Sequence, residues 1–256
     1  MTLPTPLPPS QWHFPDPADA DLNGIVGIGA DLDPSTLIHA YRNGVFPMPI
    51  DETDIGWWSP PLRGVLDFAD LKVSRSLRQS CRRYDVSVNV AFNDVIATCA
   101  SLPRDGGWIS VEIERAYRRL HELGWAHSVE VWEGDALVGG LYGVQIDGLF
   151  AGESMFHLAT DASKVALVGL VSGLEACGAA LLDIQWATEH LRSLGAIEIT
   201  RSMYQKRLSR ALTCEATPIS GLSGRTLLGK TEQFLNRLQL KPTGETPPVL
   251  PGSIPQ

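Results

Sequence analysis

The sequence predicts an α+β protein, a small N-terminal unit followed by a larger domain on a mixed sheet. Three observations predict it. Apolar residues recur at helical spacing in two stretches, 71–84 and 112–123, each cationic on its outer face. Alternating runs separated by Gly-Asp and Asp-Gly turns fill 127–152, and an apolar helix and a short strand follow them. The 256 residues suffice for one large domain plus a small one.

Each element has a local reason. Pro4, Pro6, Pro8, Pro9, Pro15 and Pro17 forbid regular structure over 1–20, which reads as an extended arm. Asp33-Pro34 opens a helix, with Asp33 as its cap, and Gly44 ends it. Residues 46–63 are rich in Pro and Trp and read as a folded loop. In 71–84, Val73, Leu77 and Tyr84 share one face while Arg75, Arg78 and Arg82 lie on another. In 112–123, Ile113, Ala116, Tyr117 and Leu120 face inward, with Arg115, Arg118 and Arg119 mostly outside. Strands are predicted over 127–132, 136–145 and 149–152. Residues 162–177 form a buried helix that Thr160 or Asp161 can cap, and 180–186 a strand. These shifts divide the chain into a small domain with its arm (1–64), a larger domain (65–235) and a Pro-rich, fraying tail (236–256).

Composition narrows the function classes. No apolar run approaches the roughly 20 residues of a membrane helix. No Lys or Arg precedes Arg42, which argues against a signal or transit peptide, so the cytoplasm is the expected compartment. Cys81, Cys99, Cys177 and Cys214 lie far apart without a CxxC pair, so reduced, mostly buried thiols are expected rather than disulfides or zinc. The net charge of −8 is uneven: 1–64 holds eight acids and two bases, giving −6, which leaves −2 for the rest. Within that remainder, 72–83 carries five bases and no acid, and 201–210 carries four bases and no acid. Local fields decide whether a polyanion docks, although a single run of this kind is most simply a solvated helix face.

The segment Phe150-Ala151-Gly152-Glu153-Ser154-Met155-Phe156, followed by Asp183-Ile184-Gln185 on the next strand, carries the chemistry. Two carboxylates, an amide and a set of apolar side chains surround one expected cleft, with no metal or nucleotide motif beside them. Strand periodicity places Asp183 and Gln185 on the same side. Asp183 can equally pair with a neighbouring Arg, and Glu153 can equally form a weak surface ion pair. The two acids also fit a glycosidase pair, but nothing else supports a sugar site.

A series of blocks runs in order over 14–204: Gly27-Ile28-Gly29-Ala30-Asp31-Leu32, Ala40-Tyr41-Arg42-Asn43-Gly44-Val45-Phe46-Pro47, Trp57-Trp58-Ser59-Pro60 and Val73-Ser74-Arg75-Ser76-Leu77. Gly107-Trp108-Ile109, His127-Ser128-Val129-Glu130-Val131-Trp132, Leu137-Val138-Gly139-Gly140-Leu141-Tyr142-Gly143, Gly152-Glu153-Ser154-Met155-Phe156 and His190-Leu191-Arg192-Ser193-Leu194-Gly195-Ala196 complete it. In these blocks the chain closely resembles the leucyl/phenylalanyl-tRNA–protein transferases. It departs from them at Met48, where Trp is usual, at Ala30, where Gly is usual, and at Ile184, where Cys is frequent.

The resemblance implies a second domain like the acyl-CoA N-acyltransferase fold. It implies a leucyltransferase that moves Leu, Phe or Met from aminoacyl-tRNA to proteins beginning with Arg or Lys, marking them for degradation. The ester is already activated, so neither a metal nor a cofactor is called for, and the enzyme is expected to act as a monomer away from membranes. It implies that Asp183 and Gln185 receive and orient the incoming amine and that Glu153 selects the cationic acceptor. Leu141, Phe150, Gly152, Met155, Leu167, Leu170 and Leu182 would line the aminoacyl pocket, several of them also serving as plain core. Trp108, Met48 and Ser154 would meet the tRNA 3′ end, with Trp108 stacking on adenine. Arg75, Arg78 and Arg82, joined by Lys72, Arg83 and the 201–210 run, would track tRNA phosphates. Two rivals remain: an acyl-CoA-dependent N-acyltransferase and a noncatalytic tRNA-binding protein. The first needs a Gly-rich turn before a helix, whereas Ala159-Thr160-Asp161-Ala162 places an acid there.

Overall fold

The computed structural model describes residues 3–51, 54–102, 108–222 and 232–237; most of the expected tail lies outside them. The arm is extended apart from one 3-10 turn at Pro17–Asp19. It is docked rather than loose: the Thr5 N–H donates to the Leu123 carbonyl at 2.8 Å, and Trp125 Nε1 donates to the Thr5 carbonyl at 2.9 Å.

The small unit combines α1 (Pro34–Arg42) with β1 (Ile25–Ile28), β2 (Phe46–Pro49) and β3 (Ile55–Trp58) in an antiparallel sheet ordered β1-β3-β2. The loop expected over 46–63 is therefore mostly strand. Proline is tolerated because β2 is an edge strand, where a missing N–H leaves no ladder bond unmade. Asp33 takes the cap position of α1, but its side chain makes no cap hydrogen bond, and Gly44 ends the helix region at φ +77.

The larger sheet begins with β4 (Leu62–Leu66). After it come α2 (Arg75–Arg83), β5 (Asp85–Val88), α3 (Phe92–Ser101) and α4 (Val111–Glu122). The hairpins β6 (Ala126–Glu133), β7 (Ala136–Ile146) and β8 (Leu149–His157) follow. Then come α5 (Ala162–Ala176), β9 (Leu181–Gln185), the short α6 (Glu189–Ser193), β10 (Ile197–Thr200) and α7 (Arg201–Ala211). The strand order is β10-β4-β9-β8-β7-β6-β5, antiparallel except for β8 with β9. Two features depart from the sequence expectation. β8 continues to His157 instead of stopping at 152, so Glu153 sits inside a strand. Asp161 caps α5 by position in a left-handed conformation, without a side-chain cap bond.

Helices cover both faces of the sheet. Leu167, Leu170 and Val171 of α5 pack with Leu77 of α2 against Leu141, Phe150 and Leu182. On the opposite face Phe92, Val95, Ile113 and Tyr117 of α3 and α4 pack against Tyr142, Val144 and Phe156, and Tyr204 and Leu208 of α7 cover Val65 and Leu181. Cys81, Cys99 and Cys177 are buried.

α5 reaches β7 closely only because position 139 is glycine. A Cβ there would stand 2.5 Å from the Cβ of Ala162 and 2.9 Å from its carbonyl carbon. Gly139→Ala is expected to cost about 1–3 kcal/mol, the penalty of overpacking, read as a lowered midpoint in chemical denaturation; an unchanged midpoint would show that α5 can recede freely.

Candidate active site

The site is created where two parallel strands part. β8 and β9 pair at Leu149↔Leu181, Phe150↔Leu182 and Ala151↔Asp183, and the ladder ends there although β8 runs on to His157. A cleft of about 770 Å³ opens beyond that point, within the usual size for a small-molecule site. Leu141, Gly152, Met155, Leu167, Leu170 and Leu182 line its apolar side. Phe150 does not: it is fully buried in the core behind that wall. Trp108, Met48 and Ser154 also line the cleft.

Glu153 reaches the cleft through a bulge. Tyr142 pairs with Ser154 and Gly143 with Gly152, so Glu153 is the extra residue between them. Bulges re-aim side chains. Glu153 keeps 9 % of its surface exposed and accepts from Tyr41 Oη on Oε1 at 2.7 Å and from Tyr117 Oη on Oε2 at 3.1 Å. The two tyrosine hydroxyl oxygens also stand within hydrogen-bond reach of each other; each carries one proton, so they bond to one another only when Glu153 is protonated and donates in place of one of them. Gln185 Nε2 donates to Glu153 Oε1 at 3.1 Å, so both side chains belong to one cleft wall.

Asp183 stands behind that wall. The expectation that it projects into the cleft beside Gln185 is not met: its exposure is 0 % and it does not line the cleft. Arg63 of β4 grips it in a fork, Nε to Oδ1 at 2.8 Å and NH2 to Oδ2 at 2.6 Å. Tyr204 Oη donates to Oδ2 at 2.7 Å, and the Gln185 N–H donates to Oδ1 at 2.9 Å. Strand alternation fails here because Gln185 is left-handed, at φ +57. Asp183 thus holds the backbone turn that aims the Gln185 amide at Glu153. Arg63 lies between the rings of Phe46 and Tyr204, 4.4 Å from each centroid, and donates to the Gly44 carbonyl at 3.2 Å.

The two carboxylates live in different fields. Glu153 is raised to about 7: burial pushes it up most, hydrogen bonds from Tyr41 and Tyr117 pull it down, the charge of Asp183 pushes it up and the charge of Arg63 pulls it down. Burial alone would lower the Arg63 guanidinium, but Asp183 outweighs it and keeps Arg63 charged. Burial first, then the neighbouring Glu153 charge, holds the hydroxyls of Tyr41 and Tyr117 well above their ordinary range, so they stay donors. Among the described residues no cluster of His, Cys, Asp and Glu could hold a metal ion.

The basic runs are only partly available. Arg75 and Arg82 are exposed on α2, while half-buried Arg78 donates to the Leu235 carbonyl at 2.7 Å, and Arg83 pairs with Glu133. On α7, Arg207 pairs with Asp67 at 2.7 Å and Arg201 donates to the Ser59 carbonyl at 2.8 Å. Sequence reasoning missed Arg63, Tyr41 and Tyr204 and read Tyr117 only as core. The one signal for Arg63 was a cation beside the apolar strand residues Val65 and Leu66; tyrosines on apolar helix faces carry none.

Comparison with known proteins gives a consistent result. A family model described as leucyl/phenylalanyl-tRNA protein transferase matches residues 65–209, and that of its N-terminal domain matches 30–61. A leucyl/phenylalanyl-tRNA–protein transferase of Anaeromyxobacter sp. (strain K) is 51% identical over 209 residues, 80% of this chain and 90% of that protein. Proteins of the same name from Aromatoleum aromaticum and Sulfurimonas denitrificans are 49% and 46% identical, over 77% of this chain and 83% and 88% of theirs. Among solved structures, a GCN5-related N-acetyltransferase from Kribbella flavida overlaps 64% of this chain and 60% of its own at TM-score 0.34 and 15% identity, too slight a likeness to build on.

Two stability measurements test the network. Arg63→Met leaves Asp183 charged and buried without its partner, an expected loss of about 3–5 kcal/mol in chemical denaturation. Arg63→Lys keeps the charge, loses the fork and the stacking, and should fall between. Glu153 is raised from 4.5 to about 7 in the folded state, so the native protein holds more protons than the unfolded chain between those values and stability declines as pH rises through them. Glu153→Gln removes that decline. Its gain over the original chain should be near zero at about pH 4 and reach on the order of 3 kcal/mol by about pH 8; a gain that does not vary with pH would refute the assignment.

Proposed function

The chain belongs to the leucyl/phenylalanyl-tRNA–protein transferase family, and on that premise we propose that its cleft transfers Leu, Phe or Met from aminoacyl-tRNA to the N-terminal Arg or Lys of acceptor proteins, marking them for degradation. The observation that carries the reading is one wall shared by an apolar pocket and a buried carboxylate that has no ion pair among the described residues. The apolar side takes the carried side chain; Glu153 takes the cationic acceptor. Thioether flexibility lets Met155 adapt to both a branched and an aromatic guest. Trp108 stacks on the terminal adenine, with Met48 where a second aromatic is usual.

The reaction is ester aminolysis. The acceptor's α-amine, with a pKa near roughly 8, must be neutral to attack. Its nitrogen bonds to the carbonyl carbon, the carbon–ribose oxygen bond breaks, and the amine proton ends on the ribose hydroxyl. Gln185 gives its Nε2 to Glu153, which leaves its Oε1 to accept from the amine and orient it. Asp183 acts through Gln185 as a positioning residue. Exposed Arg75 and Arg82, with Arg78, supply sequence-independent attraction for tRNA phosphates. The small unit at 1–64, the larger domain at 65–235 and the tail at 236–256 belong to the same reading; separate sheets on either side of residues 59–61 support two units, with β4 in the larger one. So do a monomeric state and a place in the cytoplasm with charged tRNA; no described helix is long and apolar enough to cross a membrane.

The decisive assay combines the purified protein, leucyl-tRNA and a peptide beginning with Arg, without nucleotide or coenzyme A; Leu must appear on the peptide. Calorimetry with acetyl-CoA should show no binding, since Asp161 stands at the start of α5. Glu153→Gln should lower kcat/KM for the Arg-starting peptide by about 30-fold or more, with tRNA affinity changed less than about twofold; equal losses would contradict the role. The original chain should show an inflection in kcat/KM near pH 7 from Glu153, below that of the amine, and only the amine inflection should survive in the variant.

A further inference from the structure

One polar group in the cleft has no part in the chemistry above. Ser163 stands in the first turn of α5, lines the cleft and keeps 5 % of its surface exposed. Its hydroxyl has no hydrogen-bond partner among the described residues. A serine near a helix start commonly bonds its hydroxyl to a nearby backbone group. Ser163 instead faces the space a substrate would fill.

Its position along α5 specifies which part of the substrate it meets. Ser163, Leu167 and Leu170 share one helix face at spacings of four and three, and all three line the cleft. Four residues of helix rise about 6 Å. A Leu or Phe side chain lying on Leu167 and Leu170 spans about the same length from its tip to the ester carbon, at about 1.5 Å per bond. A side chain lying on Leu167 and Leu170 with its ester toward the first turn of α5 brings the ester and the ribose that bears it level with Ser163. Beside the ester, the terminal ribose carries one free hydroxyl, a donor and acceptor that matches the donor and acceptor capacity of serine. It is also the group by which a protein tells RNA from DNA.

We propose that Ser163 binds the free hydroxyl of the terminal ribose, vicinal to the aminoacyl ester, so that the α5 wall reads the sugar while the β8–β9 wall manages the acceptor. The inference rests on the proposed function and names a contact which that reading leaves open.

Calorimetry on two unreactive analogues tests it. Both carry Leu on the 3′ position of adenosine through an amide; one keeps the 2′-hydroxyl and the other has hydrogen there. The original chain should bind the hydroxyl analogue about tenfold more tightly, the worth of one buried hydrogen bond. Ser163→Ala should lose that preference, with its affinity for the deoxy analogue unchanged and its Tm equal or higher, since Ala suits a helix and no internal bond is lost. A tenfold preference that persists in Ser163→Ala would overturn this contact alone. So would the absence of a preference in the original chain, or a lowered Tm in the variant, which would mark the serine as structural. If neither analogue binds the original chain, the reading of the cleft falls and takes this contact with it.

Discussion

The site depends on the ion pair between Arg63 and Asp183. Burying two charges costs several kcal/mol per ion, and only a full set of partners offsets it. The set is complete here: a two-bond fork, the Tyr204 hydroxyl, the Gln185 N–H, the Gly44 carbonyl and two aromatic faces. Those partners come from the small unit, from β4, from β9 and from α7. An apolar replacement of the whole group could be as stable. What the charged version adds is position: it joins the small unit to the sheet and fixes a left-handed residue at the end of β9.

The consequence is a division of labour between two carboxylates about one network. Asp183 has a guanidinium and is complete. Glu153 has two hydroxyls and an amide, all neutral donors. Burial raises its pKa and neutral hydrogen bonds undo only part of that rise, which leaves it at about 7. A carboxylate in this state gains most from an arriving cation, which would stabilise its charged form. In the proposed function, selection of a basic residue and readiness near neutral pH have one physical source, the missing counter-charge. The cost is stability, in keeping with the tension between activity and stability at working sites.

The apolar side of the cleft works by a different rule. Leu167, Leu170 and Leu182 belong to the main core cluster and to the cleft surface at once. A pocket cut from the core inherits its packing, so its shape is held without dedicated supports. The parting of β8 and β9 exposes this surface, and the bulge at Glu153 brings a polar group to its margin.

Much of this was legible in the chain. Helical spacing marked α2 and α4, cap and turn residues marked α1, an apolar run marked α5, alternation marked β6 and β7, and the Gly-Glu-Ser-Met-Phe and Asp-Ile-Gln segments marked the cleft, because each of these signals depends on neighbours a few residues away. The order of blocks pointed to the family. Other features were not legible, and each has a long-range cause. The strands in 46–63 needed an edge position to tolerate proline. Asp183 needed Arg63, 120 residues earlier, to turn it away from the cleft. Phe150 alternates correctly yet lies behind the wall, and Tyr41, Tyr117 and Tyr204 looked like core. Their hydroxyls acquired roles only when α1, α4 and α7 converged on buried acids. The sequence by itself determined which residues are polar, which are apolar and how each segment coils; the tertiary structure alone decided which acid is paired with a guanidinium and which has only neutral donors, since that depends on distances between segments far apart in the chain.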